Sequence, residues 1–226
     1  MRSIIALALP VLLITGSVQA QDLDSENGKL SYAVGWDFGE NLKRMSGELD
    51  VDSVIAAIRD NTAGRESQVS PEEMGTLLTA LQQKLRQEQL EAFQALAAEN
   101  QAKSEAFLDE NKTKTGIVVM PSGVQYRVID EGTGSRPTMD SKVRVHYRGS
   151  KMDGLEFDSS FARGVPEEFT VNAVLKGWQE VLPLMKQGST WQVFIPPELA
   201  FGQRGNPPVG PNEALMFDLK LVEVID

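Results

Sequence analysis

The chain has 226 residues, 41% of them hydrophobic and 24% charged, which suits one ordinary core plus a smaller second module. With 32 acidic against 22 basic residues the formal charge is −10, which opposes unassisted binding to nucleic acid or an anionic lipid surface. Cysteine is absent and His146 is the single histidine, so neither a disulfide framework nor a zinc site has its ligands.

Residues 1–20 read as a secretory signal peptide. Arg2 precedes an apolar run from Ile4 to Ile14, and small residues at Val18 and Ala20 mark cleavage before Gln21. The run is too short for a membrane span, which needs about 20 apolar residues, so no transmembrane segment is expected in the mature chain. A periplasmic protein is expected, with association at the outer membrane or cell surface left open.

Residues 21–69 form an expected N-terminal helical dimerisation module. Leu30, Val34, Phe38, Leu42 and Met45 recur every three or four residues on one helical face, and Ser31, Gly35 and Gly39 repeat every fourth residue beside it. Glycine inside a helix costs about 1 kcal/mol relative to alanine, and close approach of a second helix is a reason to accept that. Two short helices make a marginal domain, so burial against a second copy is expected over packing within one chain.

Residues 70–114 read as one long linker helix. Ser70-Pro71-Glu72-Glu73 supplies a capping serine, a proline at the first helical position and a glutamate three residues on. No proline follows until Pro121, so the helix should reach about Asn111 and span about 60 Å at 1.5 Å per residue. Met74, Leu77, Leu78, Leu81 and Leu85 should pack on the N-terminal helices. The polar stretch Ala97–Glu105 should run through solvent.

From residue 115 to 226 the pattern changes to alternating strands. Val124–Val128, Val143–Tyr147, Trp191–Ile195 and Leu215–Val224 alternate apolar and polar residues as half-buried antiparallel strands do, with glycine- and proline-rich turns between them and one short helix near Trp178. The fold class is therefore α+β.

Four segments of this half, V-H-Y-R-G at Val145–Gly149, D-G-L-E-F-D-S-S at Asp153–Ser160, V-L-K-G-W at Val174–Trp178 and G-P-N-E-A-L-M-F-D at Gly210–Asp218, resemble in order and spacing an FKBP-type peptidyl-prolyl cis-trans isomerase. The helical half, with Leu30–Gly35 and Ala106–Leu108, resembles the Mip-like (macrophage infectivity potentiator) subgroup. The resemblance implies an antiparallel sheet wrapped around a short helix, with a pocket between them. It implies Trp178 as the pocket floor, and Tyr147, Phe157, Phe169, Val174, Leu175, Val209 and Phe217 as walls. Asp158 would be the carboxylate at the rim, and the Leu175 N–H would bond a substrate carbonyl.

Phe201 stands where the family usually has a tyrosine whose hydroxyl donates to a bound carbonyl, and Pro183 falls in the short helix after Trp178. The family's partners are proline-containing unfolded or partly folded polypeptides and macrolide inhibitors, and no cofactor is implied. The leading expectation is a homodimeric isomerase that assists exported proteins to fold. The alternative is a periplasmic binding chaperone whose isomerase activity is weak. His146 alternates to the strand face opposite Tyr147 and is given no role, and no glycine-rich phosphate loop suggests nucleotide use.

Overall fold

The computed structural model describes residues 23–45 and 49–225; the expected signal peptide lies outside them. Two compact units divide the chain at Leu81/Gln82.

The first unit is helical. Helix α1 spans Glu26–Arg44, with the Ser25 hydroxyl accepting from the Gly28 N–H, and α2 spans Val51–Thr62, with Asp50 accepting from Ser53. Such caps satisfy amide groups that have no partner within the helix. Helix α3 runs without interruption over Pro71–Asn111, and the Ser70 hydroxyl accepts from the Glu73 N–H at 3.2 Å, as the capping motif predicts.

No described residue before Asn100 is buried. Leu30, Val34 and Trp36 are each more than 60% exposed. The expected packing of the start of α3 on the N-terminal helices is not realised in a single chain: Met74, Leu77 and Leu78 stay exposed. These helices have an apolar face without a core of their own.

The second unit carries a seven-stranded antiparallel sheet. Its strands are β1 (Val118–Val119), β2 (Gln125–Asp130), β3 (Lys142–Lys151), β4 (Glu156–Ser159), β5 (Glu167–Thr170), β6 (Thr190–Ile195) and β7 (Leu215–Ile225). The order is β1-β2-β6-β7-β3-β4, with β5 also paired to β3. The one-turn helix α4 (Ser160–Arg163) follows β4, and α5 (Lys176–Val181) buries Gly177, Trp178 and Val181 against the sheet. Pro183 falls in the 3₁₀ turn Leu182–Leu184 after α5, not inside that helix as expected, because a proline early in a new turn forfeits no helical hydrogen bond.

The core consists of alternate strand residues, among them Val143, Val145, Val193, Ile195, Leu219 and Leu221, closed by Val181, Leu182 and Met185 from the α5 side. Glycine 177 sets how closely α5 approaches. A Cβ there would stand 2.5 Å from Ile195 Cγ2, so any larger residue would force α5 or Ile195 to shift.

Candidate functional site

Trp178 emerges from the first turn of α5 and is 4% exposed. Its ring meets Tyr147 at a centroid distance of 5.2 Å, Phe217 at 5.1 Å and Phe169 at 5.8 Å, all edge to face. Phe217 in turn meets Phe157 edge-on at 5.8 Å, and Phe157 meets Phe201 at 6.4 Å. Edge-to-face pairs direct ring hydrogens at π faces and contribute about 0.5–1.5 kcal/mol each beyond area burial. Six rings from β3, β4, β5, α5, the turn after Leu199 and β7 thus form one contiguous apolar surface.

The residues expected to line the pocket all have a place in or beside this cluster. Tyr147, Trp178, Val209 and Phe217 are buried, while Phe157, Phe169, Val174, Leu175 and Phe201 are half-buried against them. Strand register explains part of the convergence, because Gly149 on β3 pairs with Asp158 of β4 on one side and Phe217 of β7 on the other. A Cβ at Gly149 would lie 2.7 Å from Phe157 and 2.8 Å from Phe217, so the missing side chain is what lets these rings approach β3.

Leu175 caps α5, and its N–H donates to no group among the described residues. The Gln179 side chain donates to the Val174 carbonyl at 2.8 Å and the Asn172 carbonyl at 3.1 Å, which fixes the turn presenting that N–H. The Trp178 indole N–H is buried without a partner among the described residues. An unsatisfied buried donor is disfavoured, and here it leaves a hydrogen-bonding group at the base of the cluster.

One polar network lies at the edge of the rings. The Tyr147 hydroxyl donates to Asp158 Oδ2 at 2.7 Å, and Arg163 donates to Asp158 Oδ1 at 2.5 Å, to the Tyr147 oxygen at 2.8 Å and to Glu167 Oε1 at 2.5 Å. Arg163 and Glu167 carried no motif signal; the clue was only a cation five residues after Asp158, one that α4 folds back over β4. Burial pushes the Tyr147 phenol up to about 12, helped by the Asp158 charge and opposed by Arg163. Burial also disfavours ionisation of Asp158, but the bonds from Arg163 and Tyr147 outweigh it and hold the carboxyl below the usual carboxylate range.

His146 is elsewhere, stacked on Phe161 at 4.6 Å with its Nδ1 beside the Ser160 hydroxyl. Among the described residues no group of histidine, cysteine, aspartate or glutamate side chains could hold a metal ion, and no helix is long and apolar enough to cross a membrane.

Comparison with known proteins gives the family. Residues 134–222 match the family described as FKBP-type peptidyl-prolyl cis-trans isomerase, and residues 27–128 match the domain amino-terminal to it. The chain belongs to the FKBP-type peptidyl-prolyl cis-trans isomerases, and it is an enzyme of that type. It is 41% identical to the outer membrane protein MIP of Legionella longbeachae over 92% of this chain and 90% of the relative. It is 37% identical to the peptidyl-prolyl cis-trans isomerase Mip of Coxiella burnetii over 96% of this chain and 95% of the relative. The crystal structure of FkpA from Escherichia coli superposes with a TM-score of 0.74 at 32% identity, over 89% of this chain and 97% of that one.

The shifts at Tyr147 and Asp158 set the pH range over which the network itself holds together. A carboxyl with a lowered folded-state pKa contributes stability above its ordinary value near 4, lost as pH falls through the depressed value. A phenol raised to about 12 contributes stability below about 10, lost as pH rises through 12. We expect kcat/KM to be flat from about pH 5 to about pH 9.5. A pH–rate profile with an inflection inside that window would contradict the assignment.

Proposed function

We propose that the aromatic cluster is the prolyl pocket and that it accelerates rotation by desolvating the amide. The observation that carries this reading is the chemistry of the site: six rings, and two carboxylates, Asp158 and Glu167, both already engaged by Arg163 and Tyr147. Rotation about an X–Pro bond breaks amide resonance against a barrier of about 18–20 kcal/mol and takes tens of seconds unaided. Water favours the planar, charge-separated amide, and an apolar pocket removes that advantage while losing less with the twisted form. Preferential binding of the twisted form by about 4 kcal/mol gives roughly a thousandfold acceleration.

In this reading Trp178 is the floor, and Tyr147, Phe157, Phe169, Val174, Val209 and Phe217 are the walls. The Leu175 N–H holds the substrate carbonyl, and Asp158 orients Tyr147 at the rim. Phe201 supplies a ring without a donor, a difference worth about 0.5–1.5 kcal/mol of binding. Trp178→Ala and Asp158→Leu should lower kcat/KM on a short prolyl peptide at least about tenfold while the protein remains folded by circular dichroism. Unchanged rates in both variants would remove this pocket from the catalytic account.

The substrates we propose are proline-containing unfolded or partly folded chains in the periplasm, reached through the cleaved leader, with macrolide inhibitors competing for the same pocket. The first unit would serve that role as a homodimer. A groove of about 740 Å³ there is lined by Leu23, Tyr32, Trp36, Phe38, Ile55 and Ile58 together with Gly28, Ser31, Gly35 and Gly39. Apart from the helix's own backbone, no described heavy atom would lie within 4 Å of a Cβ at Gly35 or Gly39. Each large side chain taken fully from water contributes about 1.5–3 kcal/mol, which favours covering this face with a second copy.

A binding chaperone with weak isomerase activity is the second reading, favoured by Phe201, a ring without the donor the family usually has there. Gly35→Leu leaves the helix itself unstrained and should convert a dimer to monomers in light scattering, with kcat/KM on a short peptide within about twofold of wild type. A wild-type chain that is monomeric at micromolar concentration would contradict the dimer and, with it, a chaperone built from two linked copies.

A further inference from the structure

Helix α3 buries three residues, and all three are polar: Asn100 at 6% exposure, Ser104 at 0% and Asn111 at 3%. Burying an amide or hydroxyl without a partner costs several kcal/mol, so each must be matched. Asn100 Nδ2 donates to the Pro211 carbonyl at 2.8 Å. The Ser104 hydroxyl donates to the Asn212 carbonyl at 2.9 Å and accepts from the Ala214 N–H at 2.8 Å. Asn212 returns a bond from its own side chain to the Ala97 carbonyl at 3.2 Å. Ala97, Asn100 and Ser104 follow at helical spacing, so one face of α3 grips the segment Pro211–Ala214 at both ends.

That segment borders the aromatic cluster. It begins two residues after Val209 and leads directly into β7, which carries Phe217. The Asn212 N–H donates to the Gly202 carbonyl at 2.9 Å, which ties the segment to the turn bearing Phe201. Asn212 itself has φ of +52°, a left-handed backbone that asparagine adopts more readily than other non-glycine residues. Its N–H, carbonyl and side chain are all engaged, two of them by α3. Gly210 leaves room for the grip, since a Cβ there would stand 3.0 Å from Asn100 Nδ2.

We propose that Asn100 and Ser104 are positioning residues of the prolyl pocket: through the Pro211–Ala214 segment they set the rim formed by Phe201 and Val209. The proposal rests on the reading of the aromatic cluster as that pocket. It makes the end of α3 part of the substrate-binding apparatus, in addition to its role as a connector. The floor and the Tyr147–Asp158–Arg163 network are held by α5, β3, β4 and α4, none of which these bonds touch.

The test uses the full chain and a short prolyl peptide. Asn100→Ala and Ser104→Ala should raise KM about three- to tenfold, the scale of one or two neutral hydrogen bonds, with kcat within about twofold of wild type. Asn111→Ala is the control, because Asn111 bonds Gln125 Oε1 at 2.9 Å and so anchors the same helix away from the rim. It should lower Tm and leave KM unchanged. Asn212→Gly keeps the left-handed backbone, drops the bond to Ala97, and supplies a milder variant with KM raised in the same direction should either alanine variant fail to fold. Unchanged KM in the clamp variants, or an equal rise in Asn111→Ala, would overturn the clamp. Trp178→Ala with unaltered kcat/KM would instead overturn the reading of the cluster.

Discussion

The seating of Trp178 on the sheet is the contact from which the rest of the second unit is organised. Its ring is wedged among Tyr147, Phe169 and Phe217, and that position exists only because Gly177 lets α5 come within reach of Ile195. Raise the helix by the width of a methyl group and three edge-to-face pairs open together. The close packing of an interior transmits such a shift without absorbing it, so Trp178, the rings around it and the Leu175 N–H share one geometric dependence. Gly149 plays the matching part from β3, where its bare backbone lets Phe157 and Phe217 close the other side.

Around this apolar surface the charged groups are arranged to neutralise one another. Arg163 lies among Asp158, Glu167 and the Tyr147 hydroxyl and sits over the Tyr147 ring at 5.6 Å from its centroid. The carboxylate stays ionised and the phenol stays protonated, each locked by the other and by the guanidinium. In the account proposed here such a rim keeps an apolar pocket from acquiring a reactive group. It also holds Tyr147 in one orientation against the floor.

Much of this was legible in the chain because it is local. The Ser70 cap, the unbroken run of α3 and the alternation of β2, β3, β6 and β7 follow from residues a few positions apart, and the structure places these elements within a few residues of where the pattern does. The aromatic residues were legible through the family motifs that contain them. What escaped were partners separated in sequence. Arg163 reads as an ordinary surface cation until α4 folds it onto Asp158. Ala97–Glu105 reads as a solvated stretch because it is polar, yet Asn100 and Ser104 are buried against Pro211 and Ala214, more than 100 residues away. Polarity signals solvent only when no distant backbone supplies the missing bonds.

The central claim is that the pocket works by desolvation and shape, with no proton in flight at the barrier. The most direct measurement is the ratio of kcat/KM in light and heavy water on a short prolyl peptide across the flat part of the pH profile. Rotation of an amide without proton transfer predicts a ratio of about 1, whereas general acid–base catalysis gives a ratio of roughly 2 or more. A ratio in the second range that collapsed to about 1 in Asp158→Asn would contradict the account and make Asp158 a proton-transfer group.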